Sequence, residues 1–201
     1  MFKDWFGGKI YGILFKPGIF DSSPLRNLIN SFGKGKTFKR KVVIGTTNAD
    51  NAEFFTFDET FSNDDFLTGV LASTSFPGVL PYVMYEGKTL IDGSCLYSVT
   101  IFDAINRCHE MGYADSDIIV DVVLTSGSSL KQVDVSKYTG LEMLMRYLEV
   151  DSYYSTMGYI ENAKQSHPDV NIRHVVYPTV ALPSATIPLY FNSKDIAKMI
   201  A

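Results

Sequence analysis

The sequence lacks three features that would each place the protein in a particular class. It contains only two cysteines, Cys95 and Cys108, too few for the disulfide framework of a small secreted domain. It has no uninterrupted apolar run of about 18 residues, the length that indicates a membrane-spanning helix. Its formal net charge is −4 at pH 7, which argues against a nucleic-acid-binding protein. Both cysteines are expected to be small buried hydrophobic residues.

Metal-binding spacings and a targeting segment are also missing. The three histidines show no H-x-x-x-H spacing, and no acidic residues have the spacing of a calcium-binding EF-hand loop. We expect His109 on the surface of a helix, His167 in a loop and His174 in a strand. The sequence therefore predicts no metal site and no cofactor. The first residues lack the pattern of a signal peptide, so the sequence indicates no particular compartment.

The composition of the chain is that of a globular protein. Hydrophobic residues make up 46% of the 201 residues and aromatic residues 13%, which is enough for a hydrophobic core. The length fits one domain, and we therefore assign residues 1–201 to a single domain.

One short segment, residues 34–41 (KGKTFKRK), carries a local basic excess. Such a run can contact anionic lipid or phosphate. It can equally be a solvated loop before a strand, and charge runs at the start of strands are common. The second interpretation is the one that we favour.

Helix caps, apolar spacing and β-branched runs predict helices that alternate with strands. The aliphatic run at residues 117–126 is typical of a strand buried on both faces of a parallel sheet. The predicted fold is therefore α/β, with a mainly parallel sheet flanked by helices. Helices are predicted at residues 22–33, 62–71, 101–112 and 139–164 and from about residue 193, and strands at residues 41–47, 53–57, 89–91, 117–126 and 171–177.

The functional interpretation depends on residues 69–94, GVLASTSFPGVLPYVMYEGKTLIDGS. A short strand in this segment ends at Asp92, and Gly93 and Ser94 then turn the chain. An acid at the end of a buried strand of an open α/β sheet lies at the edge where such folds bind ligands. Ser73 and Ser75 are expected to be helix-end hydroxyls that bond nearby carbonyls, rather than nucleophiles.

This segment resembles the second half of a patatin-like phospholipase domain. The pattern S-x-S-F-P-G-x-L-P is followed by a strand and D-G-S, where the family has D-G-G or D-G-A. Residues 18–25 (GIFDSSPL) are similar to the family's glycine-aromatic-Asp-x-x-Pro-Leu start of a helix, and residues 104–112 resemble the helix after the family's Asp turn. The pieces follow the family's order over roughly the first two thirds of the chain.

The resemblance implies a patatin-like fold and a Ser–Asp catalytic dyad, in which Asp92 is the general base and Gly93 and Ser94 complete its turn. Gly93 would allow a positive φ and leave room for the serine. An ordinary aspartate has a pKa near about 3.9 and is a poor base at neutral pH, but burial can raise this pKa. Alternatively, Asp92 only forms a turn by bonding its own backbone.

The sequence departs from the family at the nucleophile. It contains no G-x-S-x-G, and residues 7–9 (GGK) are too short for the family's glycine-rich oxyanion loop. We therefore expect the carboxyl-terminal portion of the domain, incomplete on its N-terminal side. The predicted function is a lipid acyl hydrolase whose serine is missing from this chain. The alternatives are an inactive remnant that binds lipid or protein, and an incomplete chain that does not fold alone.

The resemblance also implies the partners of the protein. The expected substrate is a lipid or phospholipid ester, and peripheral contact with a membrane is compatible with it. A nucleic-acid partner and a transmembrane segment are not expected.

Overall fold

The computed structural model describes residues 15–178 and residue 197. The chain divides into two compact units, residues 1–107 and 108–201, which are described separately below. The assignment of residues 1–201 to one domain stays a prediction. The glycines at residues 7–9 and the helix expected from about residue 193 lie outside the described residues, apart from residue 197, which is helical.

The first unit follows the predicted order of elements, with one further strand, Val83–Tyr85, that was not predicted. Pro24 lies in the first turn of its first helix, and the Ser62 hydroxyl caps the second by accepting a hydrogen bond from the Asp65 N–H at 3.1 Å. The elements are α1 (Ser23–Gly33), β1 (Val43–Asn48), β2 (Glu53–Asp58), α2 (Asn63–Ala72), β3 (Val83–Tyr85), β4 (Lys88–Asp92), a 3₁₀ turn (Gly93–Cys95) and α3 (Ile101–Glu110), which ends in the second unit.

The four strands described in the first unit form one sheet in the order β2-β1-β4-β3, and every neighbouring pair is antiparallel. The core of this unit lies between the sheet and α2. Phe57, Leu71 and Leu90 are fully buried in it. Tyr85 packs edge-on against Phe57, with ring centroids 5.0 Å apart.

The second unit contains a 3₁₀ turn (Asp115–Asp117), β5 (Ile119–Val123), α4 (Gly140–Ser166) and β6 (Asn171–Val176). The strands β5 and β6 pair in parallel. A capping box begins α4: the Thr139 hydroxyl accepts from the Glu142 N–H at 3.3 Å, and the Glu142 carboxylate accepts from the Thr139 N–H at 2.7 Å.

The described residues confirm the mixture of helices and sheets but not a mainly parallel sheet. Among the described strands, parallel pairing within a sheet is limited to β5 and β6, whereas the four-stranded sheet is antiparallel. The prediction of a strand buried on both faces is wrong for β5. Ile119 is 56% exposed and Val123 is 73% exposed. Among the described residues β5 pairs with only one strand, and this leaves part of its aliphatic surface uncovered.

Two smaller predictions can also be compared with the structure. Cys95 is exposed rather than buried and Cys108 is half-buried, and both are free thiols. The basic residues 34–41 form an exposed loop between α1 and β1, as the favoured interpretation predicted. No helix in the described part of the chain is both long and apolar enough to cross a membrane.

Two neighbouring threonines of β1 are both buried but differ in hydrogen bonding. The hydroxyl of Thr46 donates to the carbonyl of Phe55 at 2.7 Å. The hydroxyl of Thr47 is buried and has no hydrogen-bond partner among the described residues. An unpaired buried hydroxyl loses its hydration without compensation, so the two side chains contribute differently to stability.

Replacing each threonine by valine should therefore change stability in different directions. Valine keeps the shape and the β-branch, so only the hydroxyl is lost. Thr46→Val should lower the free energy of unfolding by about 1 kcal/mol, whereas Thr47→Val should leave it unchanged or raise it by up to about 1 kcal/mol. Urea unfolding of the three proteins measures both effects. Equal losses in both variants would contradict this assignment.

Glu59 lies directly after β2, and its carboxylate connects three parts of the first unit. Its Oε1 contacts Nζ of Lys41 at 2.7 Å and Nη2 of Arg107, and its Oε2 accepts from the Val42 N–H at 3.0 Å. The side chain is 11% exposed, and this burial alone would raise the pKa of Glu59. The Lys41 ammonium, the Val42 N–H and the Arg107 charge outweigh burial and lower the pKa to about 2.

Glu59→Gln should destabilise the protein in a pH-dependent way. At neutral pH the expected loss is about 1–2 kcal/mol, less than the full pKa difference implies because solvent screens the half-exposed Lys41. The folded-state pKa of Glu59 lies below its ordinary value of 4.5, so its contribution is complete above that pH and is lost as the pH falls toward 2.

Urea unfolding at neutral pH and at about pH 3 tests this, and the deficit of Glu59→Gln relative to the wild type should be smaller at the lower pH. Glu86→Gln is the control, because Glu86 is exposed. A Glu59→Gln deficit of the same size at both pH values would show that the carboxylate charge is not responsible.

Candidate functional site

Asp92 is the last residue of β4, and its main chain is held on both sides. It pairs with Thr46 of β1, and its N–H donates to the carbonyl of Ser75 at 3.1 Å. Its Oδ1 accepts a hydrogen bond from the Ser94 N–H at 2.8 Å, which makes Asp92 the cap of the 3₁₀ turn. The turn-forming role considered from the sequence is therefore present in the structure.

The second carboxylate oxygen of Asp92 is not used by this turn. Within the described residues no group donates a hydrogen bond to Oδ2, and the side chain is only half-buried. The turn therefore fixes the carboxylate through Oδ1 and leaves Oδ2 able to accept a hydrogen bond from another group. A carboxylate held in this way can act as a proton acceptor.

Gly93 is required by close approach of two main chains rather than by its backbone angle. The prediction of a positive φ is wrong, because Gly93 is not among the glycines with positive φ. A Cβ at this position would lie 2.4 Å from the carbonyl oxygen of Gly45 and 2.6 Å from its carbonyl carbon. Neither atom belongs to a side chain that can rotate away, so any larger residue would push β1 and the 3₁₀ turn apart.

Three sequence segments that carried the resemblance meet in the first unit. Gly18 forms a parallel bridge with Gly78, and the Phe20 N–H donates to the Val79 carbonyl at 3.0 Å. Ser75 lies just before Gly78 and Val79 in the sequence, and its carbonyl accepts a hydrogen bond from the Asp92 N–H. The Phe-Pro-Gly segment therefore contacts the start of the chain's first motif on one side and the Asp turn on the other.

The serines near Asp92 are not arranged as nucleophiles. The Ser75 side chain is fully buried, and its hydroxyl donates to the Leu71 carbonyl at 3.0 Å, as predicted. Ser94 is exposed and contributes its backbone N–H to the turn. Ser73 is half-buried and lies at the end of α2, as predicted, while the predicted hydrogen bond of its hydroxyl stays a prediction.

Cys95 is the other nucleophilic side chain beside Asp92. Although it reaches solvent, the protein around its sulfur raises the pKa of the thiol, and the negative charge of Asp92 raises it further. A reactive cysteine requires a lowered pKa, because the thiolate is the nucleophile. Cys95 is therefore not activated by its surroundings.

A second polar cluster, in the second unit, was not predicted from the sequence. The carboxylate of Asp115 lies between two imidazoles: Oδ1 is 2.6 Å from Nε2 of His109, and Oδ2 is 3.0 Å from Nδ1 of His167. These hydrogen bonds, that from His167 first, lower the pKa of Asp115. His109 is exposed, as predicted. The three residues follow no metal-binding spacing in the sequence, so their convergence was not predicted.

Gly93→Ala should destabilise the first unit because a methyl group meets fixed backbone. Overpacking of this kind typically costs about 1–3 kcal/mol. Gly158→Ala is the matched control, since nothing lies near the added methyl in α4 and alanine favours a helix interior by up to about 1 kcal/mol. Thermal unfolding should place the two variants on opposite sides of the wild type. A Gly93→Ala variant as stable as the wild type would contradict the close approach.

Comparison with known proteins agrees with the first unit's motifs. The family model described as patatin-like phospholipase matches residues 2–105. The match covers about half of the chain rather than two thirds, and it ends within α3, before residues 106–112. A search of curated proteins found no match. The chain belongs to the patatin-like phospholipase family.

Proposed function

We propose that the protein is a lipid acyl hydrolase of the Ser–Asp dyad class, in which Asp92 is the general base. The observation that carries this proposal is the carboxylate itself. It lies within the segment matched by the family, Ser94 fixes one of its oxygens, and no described residue hydrogen-bonds the other. A base for a serine hydroxyl needs both a fixed orientation and an unused oxygen.

The proposed chemistry assigns separate roles to the residues of the turn. Oδ2 of Asp92 accepts the hydroxyl proton of the nucleophilic serine while the serine Oγ attacks the carbonyl carbon of a lipid ester. The carbonyl oxygen becomes an oxyanion that backbone N–H groups stabilise. Ser94 orients the base through its N–H, and Gly93 keeps the turn against β1. Both residues are positioning groups in this proposal, not catalytic ones.

The nucleophilic serine is proposed to lie outside this chain, since the sequence contains no G-x-S-x-G. The hydroxyl of Ser75 supports this proposal because it is bonded to the Leu71 carbonyl and has no access to substrate. A mainly parallel sheet, as the resemblance implies, would then be a property of the complete domain. The described strands neither require nor exclude that sheet.

A second candidate function, lipid binding without turnover, is favoured by one surface of α1. Leu25 and Ile29 pack against the core, whereas Leu28 is 53% exposed and Phe32 is 74% exposed. Leu28 and Phe32 are four residues apart and share a helix face, and the exposed basic loop at residues 34–41 follows directly. Apolar side chains beside lysines suit a membrane surface with anionic lipid.

Asp92→Asn is expected to abolish turnover and to leave the fold intact. In a gene product that also carries a G-x-S-x-G segment, loss of the base should lower kcat for a phospholipid ester by about 10²–10⁴-fold. Asparagine keeps an oxygen that accepts from the Ser94 N–H, so the turn is retained. Asp134→Asn is the matched control, because Asp134 makes the same turn with the N–H of Ser136 at 2.9 Å. A kcat of Asp92→Asn close to the wild-type value would refute the assignment.

Ester hydrolysis by a gene product that also carries a G-x-S-x-G segment distinguishes the two candidate functions. Whether the nucleophile lies outside the 201-residue chain is tested on that chain itself. Incubated with a fluorescent fluorophosphonate, it should remain unlabelled, because the nucleophile is proposed to lie elsewhere. Labelling that disappears in Asp92→Asn but not in Asp134→Asn would show that a serine within these residues has been recruited. If the protein only binds lipid, the chain should sediment with anionic phospholipid vesicles. The complete gene product should then show neither labelling nor ester hydrolysis.

A further inference from the structure

Three side chains of the second unit converge from separate turns of the chain. His109 lies near the end of α3, Asp115 begins the second 3₁₀ turn, and His167 follows α4. One ligand atom from each lies within 4.8 Å of the other two. We propose that His109, Asp115 and His167 form a binding site for a divalent transition-metal ion of the zinc type, and we call these residues the His-Asp-His cluster.

The donor atoms select the class of metal. Two imidazole nitrogens and one carboxylate oxygen suit zinc and its neighbours in the first transition row. Calcium and magnesium take oxygen ligands, and the cluster offers only one carboxylate. Three protein ligands leave one position of a tetrahedral ion open, so a bound zinc would also carry water or an anionic ligand.

Main-chain hydrogen bonds hold each member of the cluster in its own turn. The carbonyl of His109 accepts from the Gly112 N–H at 2.8 Å, and the positive φ of Gly112, 89°, turns the chain after α3. The carbonyl of Asp115 accepts from the Ile118 N–H at 3.1 Å, and the His167 N–H donates to the Ala163 carbonyl at 2.9 Å. The backbone of the site is therefore formed before any ion binds.

The distances within the cluster allow a metal ion to enter with small movements. With zinc–nitrogen bonds of about 2.0–2.1 Å, neighbouring ligand atoms of a tetrahedral site lie about 3.3 Å apart. The two imidazole–carboxylate contacts are 2.6 and 3.0 Å long. One ligand atom from each residue lies within 4.8 Å of the other two, so reaching the tetrahedral spacing changes each separation by no more than about 1.5 Å. All three side chains reach solvent and can make that adjustment. The ion would then replace the direct hydrogen bonds.

Titration of the purified, untagged chain with cobalt(II) tests the site, since tetrahedral cobalt gives a visible d–d spectrum. The wild type should show a saturable band with one ion per chain, and added zinc should remove it. His109→Gln, His167→Gln and Asp115→Asn should each weaken binding at least about tenfold, because even outer-shell changes cost about 10–100-fold. His174→Gln is the control: it removes the third of the three histidines, which lies in β6 outside the cluster.

A second measurement needs only the wild type and does not depend on the folding of any variant. Zinc should protect His109 and His167 from modification by diethyl pyrocarbonate, read by mass spectrometry, and should leave His174 unprotected. No saturable cobalt band, or equal protection of all three histidines, would overturn the proposal. The cluster would then only connect the ends of α3 and α4 through the hydrogen bonds of Asp115. Cobalt binding that His174→Gln weakens as much as the cluster variants would also overturn it.

Discussion

The position of Asp92 depends on the antiparallel pairing of β4 with β1. This pairing sets Asp92 opposite Thr46, and the next residue, Gly93, lies against the carbonyl of Gly45 with no room for a side chain. A shift of one residue in register would turn Asp92 to the opposite face of the sheet. Strand pairing therefore determines where the carboxylate lies. The short D-G-S turn adds one hydrogen bond, from the Ser94 N–H to Oδ1 of Asp92.

The motifs that relate this chain to its family act mainly through backbone contacts. Gly18 and Gly78 allow two segments to run side by side, and Ser75 contributes its carbonyl to Asp92 while its hydroxyl is occupied within α2's last turn. These contacts therefore account for the architecture around Asp92, whereas the proposed turnover requires a nucleophile that they do not supply.

Local signals predicted most elements of the fold, though not β3, and long-range contacts explain much of what they could not predict. The Ser62 cap predicted the start of α2, because a cap acts within three residues, and apolar spacing predicted α4. The direction of strand pairing has no such local signal, so the antiparallel sheet was not foreseen. Glycine is required at position 93 because the main chain of Gly45, 48 positions earlier in the sequence, lies against it. His109 is six residues from Asp115, but His167 is 52 residues from it, and no spacing rule relates such positions.

The two proposed sites make different demands on the chain. The base lies in the segment matched by the family, whereas the His-Asp-His cluster lies wholly beyond residue 105. Loss of the nucleophilic serine would prevent the proposed acyl transfer but would not disturb either the Asp92 turn or the cluster, because neither uses a serine hydroxyl from outside the chain. A chain without turnover would thus keep both arrangements of polar groups. Metal binding in the second unit would then be a property of this chain itself, whatever its catalytic state.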